Sequence, residues 1–148
     1  MPDPANPDRI IETLGLAPHP EGGWFRETWR AAAAEGARPA GTCIWFLLKA
    51  GERSHWHRVD ADEIWHFYAG TPATLSIAAT EDGPARDHRL GPDVPGGERP
   101  QIRVPAHHWQ ATAAGAGWAL MGCTVSPGFR FEGFELAPPD WRPTPRGG

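Results

Sequence analysis

The sequence predicts an all-β fold, a sandwich, jelly roll or small closed barrel preceded by one short helix. Three observations predict it. Apolar runs of strand length recur along the chain, turn residues fall between them, and only one segment shows a helical apolar pattern with end signals. The 148 residues suffice for one domain with one sizeable core, and 40% hydrophobic with 22% charged residues is an ordinary globular balance.

Residues 7–16 (Pro-Asp-Arg-Ile-Ile-Glu-Thr-Leu-Gly-Leu) are the predicted helix. Asn6 or Asp8 can cap it, Ile10, Ile11 and Leu14 form one apolar face, and Gly15 can end it. Gly22-Gly23 then lets the backbone turn into a first strand, with Trp24 or Phe25 entering the core. That pair lacks the following helix and further glycine of a phosphate-binding loop. Ala31 to Ala34 could add a turn before Gly36, Pro39 and Gly41 break it. Thr42 to Leu48 is a continuous apolar run, suited to a strand covered on both faces. Glu63 to Tyr68 and Ala73 to Ala78 follow, divided by a turn at 69–72. Gln101 to Val104 and Trp118 to Val125 are the later strands. The 18 Gly and 17 Pro fall mostly at the breaks. Closure of such strands into a barrel would remove most exposed edges. One domain over 1–148 is expected, with a core at about 8–137 and a flexible, extended tail from Pro138 to Gly148.

Charge and composition exclude several classes. The net charge is −4, and Lys49 is the one lysine among 14 basic residues. Arg9, Arg26, Arg30 and Arg38 are the densest basic stretch, but Glu12, Glu21, Glu27 and Glu35 lie among them. That is a mixed surface, not a nucleic-acid footprint. No run of 18 apolar residues could cross a membrane, and Met1 to Asp8 lacks the basic and apolar regions of a signal peptide. A cytoplasmic protein without membrane or nucleic-acid partners is expected. Cys43 and Cys123 have no CxxC spacing and are read as buried thiols.

The segment with chemical content runs from Gly51 to Gly70. His55 and His57 are two apart, so on an extended strand they share a face. Glu63, Trp65 and Phe67 share a face of the next strand, with His66 and Tyr68 on the other. Two imidazoles facing a carboxylate can hold a metal, and the same groups can do acid–base work. Trp65 and Phe67 are the candidate apolar pocket walls. Most of the eight Trp and six Phe are read as core.

Here the chain resembles the cupins. Their first motif is H-x-H, then Glu, then Gly, and Glu63 and Gly70 keep its six-residue gap. Counting back from Glu63, His57 takes the place of the first His and Val59 that of the second, so His55 is an additional His upstream. Their second motif is P-x-G, two residues, then His. It is matched by Pro105-Ala-His107-His108-Trp109-Gln110, with His107 in place of Gly and Gln110 in place of the metal-binding His. His107 and His108 are read as loop or strand-start residues. Leu14 to Thr28, with Pro18-His-Pro-Glu-Gly-Gly-Trp24 at its heart, is similar to the opening signature of a small single-domain cupin subfamily of unknown function. Residues 57–70, 104–110 and 122–136 are similar to its later blocks. The resemblance implies a cupin jelly-roll β-barrel, commonly a homodimer, with distant kinship to sugar-nucleotide epimerases of that class.

Three functions follow. In the favoured one an epimerase, isomerase or lyase acts on a small polar or sugar-like metabolite by acid–base chemistry. His57 and Glu63 are then catalytic, and Gln110, Trp65 and Phe67 bind substrate. In the second, His55, His57, Glu63 and Gln110 hold a divalent Fe, Mn, Ni or Zn for an oxygenase or hydrolase. In the third, the barrel binds a small molecule without turning it over. Glu21, Arg26 and Glu27 could rim a pocket mouth but are read as surface. Residues 126–132 are read as a turn at an edge or interface.

Overall fold

The computed structural model describes residues 6–144. The chain opens with helix α1, Pro7–Leu14, capped as its residue types dictate. The Asn6 side chain accepts from the Asp8 backbone N–H, Pro7 occupies the first turn, and Gly15 closes the helix at φ 67°. The strands are β1 (Ala17–Pro18), β2 (Trp24–Arg30), β3 (Thr42–Leu48), β4 (Arg53–Val59), β5 (Asp62–Gly70) and β6 (Ala73–Ala78). They continue with β7 (Arg86–Leu90), β8 (Gln101–Val104), β9 (Trp109–Ala114), β10 (Ala119–Ser126) and β11 (Phe134–Leu136). A short 3-10 turn, Phe131–Gly133, precedes β11. Among the described residues, no helix is long and apolar enough to cross a membrane.

All sheet pairings are antiparallel. One sheet has the order β1-β2-β3-β10-β5-β8 and the other β11-β4-β9-β6-β7. Neighbours far apart in sequence lie side by side in both, as a jelly roll requires. Strand β3 meets β10 along its full length, Thr42 opposite Val125 through Leu48 opposite Ala119. That explains its continuous apolar run: with a strand on each side and little solvent access, it has no polar face to show.

The space between the sheets divides into two regions. Phe46, Leu48, Trp65, Leu75, Leu90 and Met121 fill one end with close-packed apolar side chains. At the other end Val59, Ala61 and Val125 gather Phe129 and Phe134, and the packing leaves an opening. Burying a Leu or Phe in the first region stabilises the fold by about 1.5–3 kcal/mol each.

Two parts of the sequence reading change. Strands β7 and β9 carry no apolar run: Arg86–Leu90 is mostly charged and Trp109–Ala114 mostly Ala and Thr, and pairing alone makes them strands. The flexible tail expected from Pro138 is docked as far as it is described. Trp141 packs on Trp109 and Trp56 at ring distances of 4.4 and 6.3 Å, and the Thr144 N–H donates to the Glu81 carbonyl. The aromatic ring anchors the segment where its Pro and Arg content alone points to solvent. Residues 145–148 of the tail lie outside the described residues.

Candidate active site

A cavity of about 100 Å³ opens between the two sheets. Three features of the backbone decide which side chains reach it.

The first is the turn at His19-Pro-Glu21-Gly-Gly23. The Gly22 N–H donates to the His19 carbonyl and the His19 N–H to that of Gly23, folding the segment back on itself. Gly22 sits at φ 107° with the Arg53 carbonyl oxygen where a Cβ would be, so no side chain fits there. The turn carries His19 and Glu21 inward, and the Glu21 carbonyl is tied to the His55 N–H at 2.6 Å.

The second is a bulge in β4. Ser54 opposes Thr112 and His57 opposes Gln110, so the two residues between them on β4 face only one on β9. Ser54 and His57, three apart, therefore both point inward and are buried. His55 is turned away, and its Nε2 lies 2.7 Å from the Pro138 carbonyl. The expectation that His55 and His57 share a face assumed unbroken alternation, and the extra residue overturns it.

The third is a bulge in β2, where Glu27 opposes Ile44 and Trp29 opposes Cys43. Thr28 is the additional residue. Phe25, Glu27 and Arg30 consequently all line the cavity, while Trp29 is 53% exposed.

At the floor stand His57, Glu21 and Glu63, all buried. The His57 Nδ1 lies 2.7 Å from the His55 carbonyl oxygen, which can only accept, so Nδ1 carries a proton. The His57 Nε2 lies 2.7 Å from Glu21 Oε2. Burial alone would lower the imidazole, but the Glu21 and Glu63 carboxylates and the bond to His55 outweigh it and raise its pKa to about 9. His57 is therefore an imidazolium at neutral pH, protonated on both nitrogens. The Nε2 contact is short yet poorly directed, and Glu21 Oε2 has no well-formed hydrogen bond.

His19 differs. Its Nδ1 accepts the Glu21 backbone N–H at 3.1 Å, and burial lowers its pKa against the pull of Glu21. It is neutral, so its 3.5 Å approach to Glu21 Oε1 is a dipolar contact and not an ion pair. Glu63 is pushed up by burial, with Glu21 adding to the shift and His57 and Gln110 opposing it. One carboxyl beside His57 is thus biased toward holding a proton.

Gln110 completes the polar chain from behind. The Trp65 indole N–H donates to Gln110 Oε1 at 2.8 Å, and Gln110 Nε2 donates to Glu63 Oε1 at 2.9 Å. The indole can only donate, which fixes the amide orientation. Gln110, Trp65 and Phe67, expected to bind substrate, do not line the cavity. Glu63, Trp65 and Phe67 do lie on one side of β5, but the two rings continue into the packed core. The walls are instead Phe25, Ile44, Phe129, Phe131 and Phe134.

Glu21 and Glu27, expected at the surface, line the cavity, and so does part of the 126–132 segment, expected at an edge or interface. That segment crosses the mouth: the Phe129 N–H donates to Thr42 Oγ1 at 2.9 Å, and Arg30 Nη2 donates to the Phe129 carbonyl at 3.1 Å. The available signal was the His19-x-Glu21-Gly-Gly block itself, which pairs two ionisable residues with two glycines.

The donor set does not fit the metal site expected as an alternative. His55 is outside the cavity, the His57 Nδ1 proton is held by the His55 carbonyl, and the Gln110 carbonyl oxygen is taken by Trp65. Among the described residues, no three His, Cys, Asp or Glu side chains form a metal-holding group.

Comparison with solved structures places the fold among known relatives. A Shewanella oneidensis protein is 42% identical at a TM-score of 0.83, over 89% of this chain and 84% of that one. A hypothetical protein from Leishmania major is 34% identical at a TM-score of 0.78, over 88% and 86%. Oxalate decarboxylase from Bacillus subtilis shares the fold at 17% identity and a TM-score of 0.61, over 80% of this chain and 29% of its own. Among curated proteins, none is significantly similar in sequence. Residues 8–137 match the family described as cupin superfamily (DUF985), and the chain belongs to it.

Proposed function

We propose that this cupin binds a small polar metabolite in the cavity and acts on it by acid–base chemistry of the isomerase, epimerase or lyase kind. The observation that carries the reading is the His57 imidazolium 2.7 Å from the Glu21 carboxylate, buried beneath aromatic walls. Groups with displaced pKa values in a cleft mark acid–base assignments. His57 is the proton donor through Nε2. Glu21, freed of its cationic partner by that transfer, takes the proton released by the substrate. Glu63 borders both groups, and Gln110 positions Glu63.

Donor and acceptor converging on one pocket support this reading. Incubating the protein in D2O with panels of small hydroxy acids and sugars, read by proton NMR, tests the proposal. Deuterium entering a carbon-bound position or product formation is expected, and loss of either in His57→Asn and Glu21→Gln. A ligand that binds in the cavity without exchange or turnover would make the protein a binding module and overturn the acid–base reading.

A further inference from the structure

We infer that the ligand of this cavity is a short-chain hydroxycarboxylate, its carboxylate held by Arg30 and Arg130 at the mouth and its hydroxyl by Glu21 at the floor. The inference rests on the small-molecule reading of the pocket and adds the ligand class.

Guanidiniums outnumber carboxylates in the cluster at the mouth. Arg30, Arg38 and Arg130 surround two carboxylates, Glu27 and Asp60. Arg38 is spent on structure, giving both terminal nitrogens to Asp60 and its Nε to the Gly128 carbonyl. Arg130 makes one bond of 3.2 Å to Asp60 through Nη2, leaving Nε and Nη1 outside it. Arg30 binds Glu27 through Nε and Nη2, leaving Nη1 outside that pair. Both line the cavity and stay part-exposed, 41% and 50% at their side chains, so neither pays for desolvation before a ligand arrives. Planar guanidiniums with spare donors suit a carboxylate. Glu132 lines a separate groove with Arg58 and His107.

The floor asks for a different group. Glu21 Oε2 is buried, and the His57 Nε2 contact at 2.7 Å leaves it without a well-formed hydrogen bond, so it can accept a further donor. A hydroxyl supplies one without charge. An ammonium there would face the His57 imidazolium, and a carboxylate would face Glu21 itself. Between floor and mouth, Phe25, Phe129 and Phe134 offer apolar contact to a hydrocarbon segment.

Size narrows the class. The cavity of about 100 Å³ is smaller than the roughly 150 Å³ apolar cavity that admits benzene. An opening of that size suits a short-chain ligand whose carboxylate stays at the open end.

Calorimetric titration with glycerate, 3-hydroxybutyrate and 4-hydroxybutyrate, each paired with its primary amide, tests this. Each acid is expected to bind saturably and at least about tenfold more tightly than its amide. Arg130→Gln should cut acid affinity about tenfold, leave the amide unchanged, and keep the wild-type unfolding midpoint. Arg30→Gln is the second variant, with the same expectation for the acids. Equal affinity for acid and amide, an acid preference that survives both variants, or no binding of any acid overturns the inference. Amides that bind as tightly as acids, and lose that binding in Glu21→Gln, would remove the ligand class while leaving the pocket itself in place. The acid–base reading is decided separately by deuterium exchange.

Discussion

His57 Nε2 stands 2.7 Å from Glu21 Oε2, and the opposite nitrogen of the same ring is committed to the His55 carbonyl at 2.7 Å. Both members of the pair are buried, and His57 depends on the neighbouring carboxylate to remain protonated. Replacing Glu21 by Gln removes the nearest negative charge while keeping the shape. Burial then dominates, and the His57 pKa should fall well below its present value. Removing one partner of a buried pair costs about 3–5 kcal/mol. Carbon-13 or nitrogen-15 shifts of the His57 ring across a pH titration, together with urea unfolding, check both outcomes. An imidazole that stays protonated in Glu21→Gln would show that some other group holds the charge.

The same pair sets the alkaline side of stability. The His57 pKa is raised from 6.5 to about 9 in the folded chain. A raised pKa means the folded state binds the proton more tightly. The stabilisation is therefore complete below about pH 6.5 and is lost as pH rises through 9. Its size is on the order of 3 kcal/mol, set by the shift of the pKa between unfolded and folded chain. Glu63, also raised by burial, adds a loss of the same sign starting above the ordinary carboxylate range. Denaturant unfolding at about pH 6 and about pH 10 should show the fall, and His57→Asn should flatten most of it.

How far the sequence revealed the site follows from where alternation holds. In β5 it holds through Glu63 and Trp65, and the side of the strand is read correctly. In β4 and β2 one additional residue breaks it, moving His55 out and bringing Arg30 in. Neither bulge leaves a mark in composition, because Trp56 and Thr28 are ordinary strand residues. The fold was legible because turn residues and apolar runs mark most strands locally. The partner of His57 was not, because Glu21 reaches it from a turn 36 positions earlier in the chain, and only the closed barrel brings them together. Resemblance located the His19-x-Glu21 block, and three-dimensional structure alone gave it a place.

The amide of Gln110 is a positioning group for Glu63, acting through the chain Trp65–Gln110–Glu63. Gln110→Leu fills the same space but leaves the buried indole N–H without an acceptor and Glu63 Oε1 without its donor. The expected cost is about 2–4 kcal/mol, one unsatisfied buried group at each end. Loss of the Gln110 bond also removes an interaction that favours the charged Glu63, so its pKa should rise further. Unfolding free energy and infrared titration of the carboxyl band would measure the two effects. A stable variant with an unmoved Glu63 would show the chain to be incidental.

Trp141 offers a contrast far from the cavity. It packs against Trp109 and Trp56 on the outer side of the smaller sheet, where Ala78 and Ala137 complete a small cluster. Trp141→Ala removes that anchor and should cost about 2–3 kcal/mol, the low end for a large-to-small change at a partly exposed ring. The segment after Pro138 should then become the first site of limited proteolysis. None of these residues lines the cavity, so the His57 titration should keep its midpoint. A shifted His57 midpoint would instead mean that the docked segment reaches the site through His55, whose ring meets Pro138 and whose carbonyl holds the His57 proton. The double variant His55→Gln with Trp141→Ala would separate these routes, because additive losses of stability assign the two contacts to independent parts of the barrel.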